Sequence, residues 1–179
     1  MQEGLYKNKD FQLLLGIHAG DGHLGIYKWR SADNSKEAVT QIAKIIERLF
    51  KIPTRILKDK REDCWFVEVT NKEFSNTINT AGFPYGRKIN KLKIPKMTLS
   101  SATYIKSFLN GVFGCEATIY KKFYRKQDEH YLIIKIVMCD KDFIGKIANA
   151  LKKLDFKFNA YSYKPSRNSF SENRRYAIT

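Results

Sequence analysis

A short pattern that occurs twice decides the fold of this chain. Residues 13–25 read LLLGIHAGDGHLG, and residues 108–120 read FLNGVFGCEATIY. Each copy is an apolar run with a glycine in its middle, and each ends in a single carboxylate five residues after that glycine. A small residue and a β-prone, basic stretch follow the carboxylate in both copies. Two equivalent carboxylates, Asp21 and Glu116, indicate a two-fold, metal-dependent site.

A second internal match supports a duplication of the whole unit. Residues 41–52 (QIAKIIERLFKI) and 146–157 (KIANALKKLDFK) share the apolar spacing of an amphipathic helix. Each of these runs is followed by strand-like, basic segments. The order helix, strand or hairpin, helix, hairpin therefore predicts two equivalent halves, and such repeats set the architecture of a protein.

The spacing of the motifs predicts where the halves begin and end. We expect a first half at 1–81, a basic linker at 82–100 and a second half at 101–179. Where the second half shows a full hairpin, the first half shows one clear strand, HLGIYKWR (23–30). The first half is thus predicted to lack most of one strand, and the second half to lack a final helix.

Composition narrows the class of partner. Lys and Arg number 33 against 18 Asp and Glu, which gives a net charge of +15, and 43% of the residues are hydrophobic. A surplus of this size favours a polyanion, and nucleic acid is preferred to a membrane because no apolar run reaches the ~18 residues needed to span one. The odd number of cysteines, with no CxxC pair, and the lack of a signal-peptide pattern predict an intracellular protein with reduced thiols.

The residues now show a resemblance to a known family. LLGIHAGDG (14–22) and LNGVFGCEA (109–117) resemble the two motifs of the LAGLIDADG homing endonucleases in their single-chain, two-motif form. The resemblance implies an α+β fold of two αββαββ(α) units, a monomer with a pseudo-two-fold axis. Its antiparallel sheets form a DNA-binding saddle, and the two motif helices pack at the centre. Small residues permit that close packing; the candidates are Gly16, Ala19, Gly20, Gly111, Gly114 and Cys115.

The same resemblance implies the chemistry. Asp21 and Glu116 would hold Mg²⁺, or another divalent ion in its place, and the metal would activate water to cleave both strands of a long DNA site. Lys135 is the candidate basic residue near the scissile phosphates, because it interrupts the apolar strand YLIIKIVM. The competing interpretations are a simple Asp-Gly turn at Asp21, a solvated helix end at Glu116 and an ordinary exposed lysine at 135.

The strands supply the candidate DNA contacts. A two-stranded ribbon fits the major groove, and alternate side chains of a strand point to the same face. Trp65 and Phe66 are predicted to be core. The candidate nucleic-acid-binding residues are Tyr27, Lys28, Trp29, Arg30, Arg55, Lys58, Lys60, Arg61, Tyr120, Lys122, Tyr124, Lys126, Tyr161, Tyr163 and Arg167. In the linker, Arg87, Lys88, Lys91, Lys93 and Lys96 are predicted to neutralise phosphates.

Two other functional classes stay open at this point. The first is a non-catalytic RNA- or DNA-binding relative, such as an intron maturase or a ribonucleoprotein component, and the shortened halves favour it. The second is a basic α+β transcription factor, which leaves the paired acids without a role. The retained pair Asp21 and Glu116 makes a site-specific endonuclease the leading hypothesis.

Overall fold

The computed structural model of the protein describes residues 2–59, 62–124, 129–164 and 175–179. The described helices are Gln2–Tyr6 (α1), Lys9–Gly20 (α2), Lys36–Phe50 (α3), Lys72–Thr80 (α4), Ala102–Glu116 (α5) and Lys141–Lys152 (α6). The described strands are His23–Leu24 (β1), Lys28–Asp33 (β2), Arg55–Asp59 (β3), Cys64–Thr70 (β4), Ala117–Tyr124 (β5), Glu129–Met138 (β6), Ala160–Tyr163 (β7) and Arg175–Ile178 (β8).

Two antiparallel sheets with the same strand order form the β structure. The first sheet has the order β1-β2-β4-β3, and the second has the order β5-β6-β8-β7. The four strands that follow the first motif and the four that follow the second are therefore connected identically. The predicted α+β fold class with a duplicated unit is confirmed.

The chain divides into two compact units, Met1–Cys115 and Glu116–Thr179. The first unit contains the first sheet, α1 to α4 and all but the last residue of α5. Its core is built on Phe11, Trp29, Ile46 and Phe74, which are at most 1% exposed. In the second unit α6 lies on β8, and its core includes Ile136, Phe143, Ile147 and Ile178.

The structure corrects the prediction of a single strand at 23–30. This segment is a short hairpin in which β1 has two residues and β2 has six. The turn is closed by the amide of Gly25, which donates to the carbonyl of Lys28 over 2.7 Å. In the described residues both sheets therefore have four strands, and the largest difference in length is at the first strand, since β1 has two residues and β5 has eight.

The segment after α4 packs into the first unit instead of crossing solvent. Phe83, Leu92 and Ile94 are buried, and the amide of Gly86 donates to the carbonyl of Leu24 over 2.7 Å. This packing brings Lys88 of the predicted linker to the end of α2. The division at 1–81, 82–100 and 101–179 stays a prediction.

Candidate functional site

The helices α2 and α5, which carry the two motifs, approach each other at two glycines. A Cβ on Gly16 would lie 2.9 Å from the carbonyl carbon of Phe108, and a Cβ on Gly111 would lie 2.6 Å from the amide nitrogen of Ile17. Neither position can hold a side chain without moving backbone. Glycine at these two positions therefore sets the distance between the helices, at the cost of helix propensity that glycine brings.

The other predicted interface residues behave differently from one another. Ala19 and Gly20 are buried, and the thiol of Cys115 donates to the carbonyl of Ile17 over 3.7 Å. Gly114 is exposed, and a Cβ added there would meet nothing within 4 Å. The placement of Gly114 at the helix contact was wrong, because it lies on the outer side of α5.

Asp21 caps the carboxyl end of α2 and is followed by a glycine that the geometry requires. Its amide donates to the carbonyl of Ile17 over 3.0 Å, which closes the last turn. A Cβ on Gly22 would lie 2.5 Å from the Cα of His18. The chain thus turns sharply after Asp21, and this residue lies partly exposed at the helix end.

His18 supports this turn from the core. It is 1% exposed, and its Nδ1 accepts a 2.9 Å hydrogen bond from Nε1 of Trp29. Burial, with the charges of Lys88 and His23, lowers the pKa of His18 to about 3, so the ring is neutral. Trp29 is 0% exposed, so its prediction as a nucleic-acid contact was wrong. The alternation of a strand shows which residues share a face. It does not show which of the two faces packs against the helices, because that depends on tertiary packing.

Lys88 is the basic residue that the fold brings to Asp21. Its Nζ donates to the carbonyl of His18 over 3.0 Å and also to the carbonyl of Gly20. These carbonyls carry the negative end of the helix dipole. The sequence predicted a phosphate contact for Lys88; the structure instead places its ammonium group at the end of α2. The residues that it contacts lie about 70 positions away, so no local pattern could have found this role.

The electrostatic environment of Asp21 combines opposing effects. Burial raises the pKa of its carboxyl group, and the negative charge of Asp33 adds to the rise. The positive charge of Lys88 and a hydrogen bond with the Cys115 thiol act against this rise, but the net direction is upward. A carboxylate held in this way gains from a nearby cation, which favours its charged form.

Asp21 and its surroundings suit a hard divalent cation that retains several of its water ligands. The Asp21 carboxylate offers accessible oxygen atoms at the carboxyl end of α2. Among the residues described, no group of three or more His, Cys, Asp or Glu side chains could enclose a metal. Magnesium is bound in this open manner, by one or two carboxylates together with water and phosphate oxygens.

Glu116 occupies the matching position on the second motif. It is the last residue of α5 and is half-buried, and β5 begins directly after it. Ala117 follows where the first copy has Gly22. The repeat therefore delivers a carboxylate at the same point of the helix-to-strand connection in both copies.

Lys135 lies in the second sheet among tyrosines. It is opposite Thr118 in the β5–β6 ladder, and its Nζ is 5.7 Å from the ring centre of Tyr161 and 5.2 Å from that of Tyr163. Burial acts to lower its pKa, but a hydrogen bond with Tyr161 and the neighbouring phenols outweigh it, and the pKa is raised. Lys135 is therefore a positive charge in an aromatic environment. Its predicted catalytic role stays a prediction.

The outer face of the first sheet, the face away from α3, carries an ordered basic cluster. Lys28 and Arg30 each place a nitrogen 2.7 Å from Oε2 of Glu68. The guanidinium carbon of Arg30 lies 4.2 Å from the ring centre of Phe66. Arg55 lies directly opposite Glu68 on β3 and is exposed. Glu68 was not predicted to take part, since its role appears only once the strand register is known.

Two predicted core residues are only half-buried. Phe66 lies on the outer face under Arg30, and Lys36 places its Nζ 4.9 Å from the ring centre of Trp65. Both rings are covered by cations instead of apolar neighbours alone. The prediction that they are ordinary core residues was therefore wrong.

The second sheet presents aromatic and basic side chains on one face. Tyr120 and Lys122 are two residues apart on β5, so their side chains lie on the same face. The pairing of β5 with β6 shows that this face also carries Lys135. The rings of Tyr161 and Tyr163 are 6.2 Å apart on β7. Tyr124 is described only by its backbone, as the last residue of β5. Lys60, Arg61, Lys126 and Arg167 lie outside the described residues.

The remaining predicted contacts lie at the surface of the first unit. Tyr27 is 59% exposed. Lys58 forms a 2.8 Å ion pair with Asp63, so its charge is partly neutralised. The exposed basic residues of the segment after α4 are Arg87, Lys91, Lys93 and Lys96.

Comparison with solved structures defines the fold as that of the LAGLIDADG proteins. A structure of mesophilic variants of the homing endonuclease I-DmoI matches 99% of this chain and 84% of its own, with a TM-score of 0.64 and 14% identity. I-DmoI in complex with DNA and Mn matches with a TM-score of 0.62, 14% identity and coverage of 99% and 89%. Full-length DUF199/WhiA from Thermatoga maritima matches with a TM-score of 0.59, 17% identity and coverage of 99% and 55%.

The likeness is one of fold. No family model and no curated protein matches the sequence, and at these identities the solved structures establish the architecture alone. In the described part of the chain, none of the helices has the length and apolar character needed to cross a membrane.

Proposed function

We propose that this protein is a site-specific endonuclease that uses a divalent cation, Mg²⁺ in the first place, to cleave both strands of DNA. The contact between the motif helices carries the proposal. Gly16 and Gly111 allow the close approach, and the thiol of Cys115, the residue before Glu116, donates to the carbonyl of Ile17 on α2. One carboxylate thus ends each helix of a tightly packed pair. I-DmoI, a homing endonuclease of the same fold, has been solved with DNA and Mn.

The side chains divide the work between charge and position. Asp21 and Glu116 would each hold a divalent cation, and that cation would supply Lewis-acid stabilisation and an activated water. Lys88 fixes the end of α2 through the carbonyls of His18 and Gly20, so that the Asp21 carboxylate has a defined direction. Its positive charge also favours the carboxylate form of Asp21.

The outer face of the first sheet and the face of the second sheet that carries Lys135 supply the DNA contacts in this proposal. Arg30 is held between Glu68 and Phe66, so its guanidinium is already oriented when DNA arrives. Pre-oriented arginine suits the bidentate contact to a guanine edge, whereas the exposed lysines suit phosphates. The net charge of +15 supplies the long-range attraction.

The test is cleavage of a random DNA library by the purified chain with Mg²⁺ or Mn²⁺. We expect recovered, cut sites, and we expect Asp21→Asn or Glu116→Gln to lower the cleavage rate by about 100-fold or more, because the bound metal contributes several kcal/mol to the transition state. Binding of the recovered duplex in Ca²⁺ should persist. Asp142→Asn, which removes an exposed carboxylate from α6, is the matched control and should cut normally. Normal cutting by the Asp21 variant would refute the proposal.

A second function is favoured by one observation. Burial raises the pKa of Asp21, so the charged form that binds a cation is less favoured here than in water. A protein of this fold that binds DNA or RNA without cleaving it would carry the same basic faces. Recovery of bound but uncut molecules from the same library, with an RNA library run in parallel, would support this second function.

A further inference from the structure

The β5–β6 hairpin has an exposed apolar face that the nucleic-acid proposal does not use. Ile119 and Phe123 on β5 are 65% and 46% exposed, and Leu132 and Ile134 on β6 are 71% and 48% exposed. The ladder pairs Ile119 with Ile134, Lys121 with Leu132 and Phe123 with His130, so these side chains share one face. We call this group of six residues the distal face. A contiguous apolar patch of this kind marks an interaction site.

The distal face is the reverse of the face that carries the basic and aromatic residues. Because side chains alternate along a strand, Tyr120, Lys122 and Lys135 point to the other side of the same ribbon. Nucleic acid on that side leaves the distal face open. Closer to Glu116 the distal side of the sheet becomes core, since Ile136 is 1% exposed.

The first sheet shows what covers the equivalent position. Leu24 follows Asp21 by three residues, as Ile119 follows Glu116, and Leu24 pairs with Trp29 as Ile119 pairs with Ile134. Yet Leu24 is 1% exposed and Trp29 is 0% exposed. The two pairs therefore occupy the same place in the repeat but differ in burial.

A helix accounts for this difference. In the first unit α4 lies on β1 and β2, and its Phe74 packs edge-on against Trp29 with 5.7 Å between ring centres. Phe74 and Ile78 form the apolar side of this nine-residue helix. In the second unit, among the residues that the structure describes, α6 is the one helix after Glu116, and it leaves the distal face exposed.

We propose that the distal face binds an amphipathic α-helix of a partner polypeptide, one with an apolar stripe flanked by acidic residues. The place of α4 in the first unit defines the shape of this occupant. The charge of Lys121, which is exposed within the face, favours acidic flanks. A second copy of the chain is a poor occupant, because two molecules of charge +15 repel each other. The proposal is independent of whether the protein cleaves DNA.

The test uses the full chain and a labelled helical peptide of about 18 residues with leucines at helical spacing and glutamates elsewhere. Fluorescence anisotropy should show saturable binding. Leu132→Thr combined with Ile134→Thr should weaken it by about tenfold or more, since both changes remove apolar contact area. Threonine suits a strand, so the sheet should survive. Ile89→Thr, at a 39% exposed residue of the first unit, is the matched control and should bind as the wild type does.

Three outcomes would overturn the proposal. The first is equal binding of a peptide with the same composition in scrambled order, since charge alone would then explain the signal. The second is unchanged binding by the Leu132 and Ile134 double variant. The third is self-association of the chain in sedimentation experiments that the same double variant abolishes, because the occupant would then be a second copy.

Discussion

At the scale of single residues, Glu68 shows how a carboxylate can organise a basic surface. Its side chain is 6% exposed, and Lys28 and Arg30 both contact its Oε2. Burial acts to raise its pKa, but the hydrogen bonds and charges of the two cations outweigh it and hold the pKa of Glu68 below the ordinary value. The two basic side chains consequently stand in fixed positions on the outer face.

This lowered pKa predicts an acid-sensitive contribution to stability. A carboxyl group with a folded-state pKa below its unfolded-state pKa stabilises the fold above the unfolded value, and this contribution is lost as the pH falls through the folded value. Glu68→Gln should therefore reduce the free energy of unfolding by about 1–3 kcal/mol near neutral pH. The difference from the wild type should disappear in acid.

Urea unfolding at a series of pH values measures this contribution. Glu62→Gln removes a carboxylate from an exposed position of the same unit and serves as the control, with no expected change. A deficit of the Glu68 variant that stays constant down to acidic pH would show that packing, not charge, is responsible.

At the scale of elements, the contact of α2 and α5 requires glycine at two positions. A third glycine, also in α5, lies outside the contact. Gly16 and Gly111 face backbone of the opposite helix, whereas Gly114 faces open space. All three are helical, so all three carry the same loss of helix propensity. The difference among them is purely one of tertiary contact.

Alanine substitutions should separate these two effects. Gly16→Ala should destabilise the protein by about 2 kcal/mol or more, because the new methyl group forces backbone apart. Gly114→Ala should instead stabilise it by up to about 1 kcal/mol through helix propensity. Thermal unfolding of both variants provides the measurement. A neutral or stabilising Gly16→Ala would mean that the helices do not approach as described.

Element identity was largely predictable, and contacts between elements were not. The amphipathic runs predicted at 41–52 and 146–157 coincide with much of α3 and α6. The repeated motifs also predicted the duplicated α+β architecture. The β1–β2 hairpin was missed because a two-residue strand leaves almost no alternation to detect.

At the candidate site, too, the sequence does not predict features that depend on contacts between distant parts of the chain. Asp21 and Glu116 stood out because each ends a repeated apolar helix. The contact of Lys88 with the end of α2 depends on carbonyls about 70 residues away, so the sequence did not reveal it; its phosphate contact stays a prediction. Trp29 was assigned to the surface because alternation does not reveal which face of β2 is inward. Residue type and spacing thus located the acids, whereas their surroundings required the fold.

At the scale of the whole molecule, positive charge lies on more than one face, as the second sheet shows. Lys121 and Lys122 are adjacent in β5, yet they lie on opposite faces of the second sheet. Net charge alone treats them as equal. The proposed function puts nucleic acid on the face of Lys122, whereas Lys121 belongs to the distal face, so the two residues should differ in their effect on DNA binding.

Salt dependence distinguishes the two lysines. Each phosphate contact releases counterions and contributes about 0.9 to the slope of log affinity against log salt concentration. Lys122→Gln should remove one phosphate contact and so make the slope less steep by about 0.9. Lys121→Gln should leave the slope nearly unchanged, because the interaction of a lysine on the far side with the phosphates is screened beyond the Debye length of about 10 Å. Affinity for the duplex recovered from the cleavage selection, measured in Ca²⁺ between low and moderate salt, checks both values. Equal slopes for the two variants would show that the nucleic acid does not prefer the face of Lys122. Its binding would then be a general effect of the +15 charge.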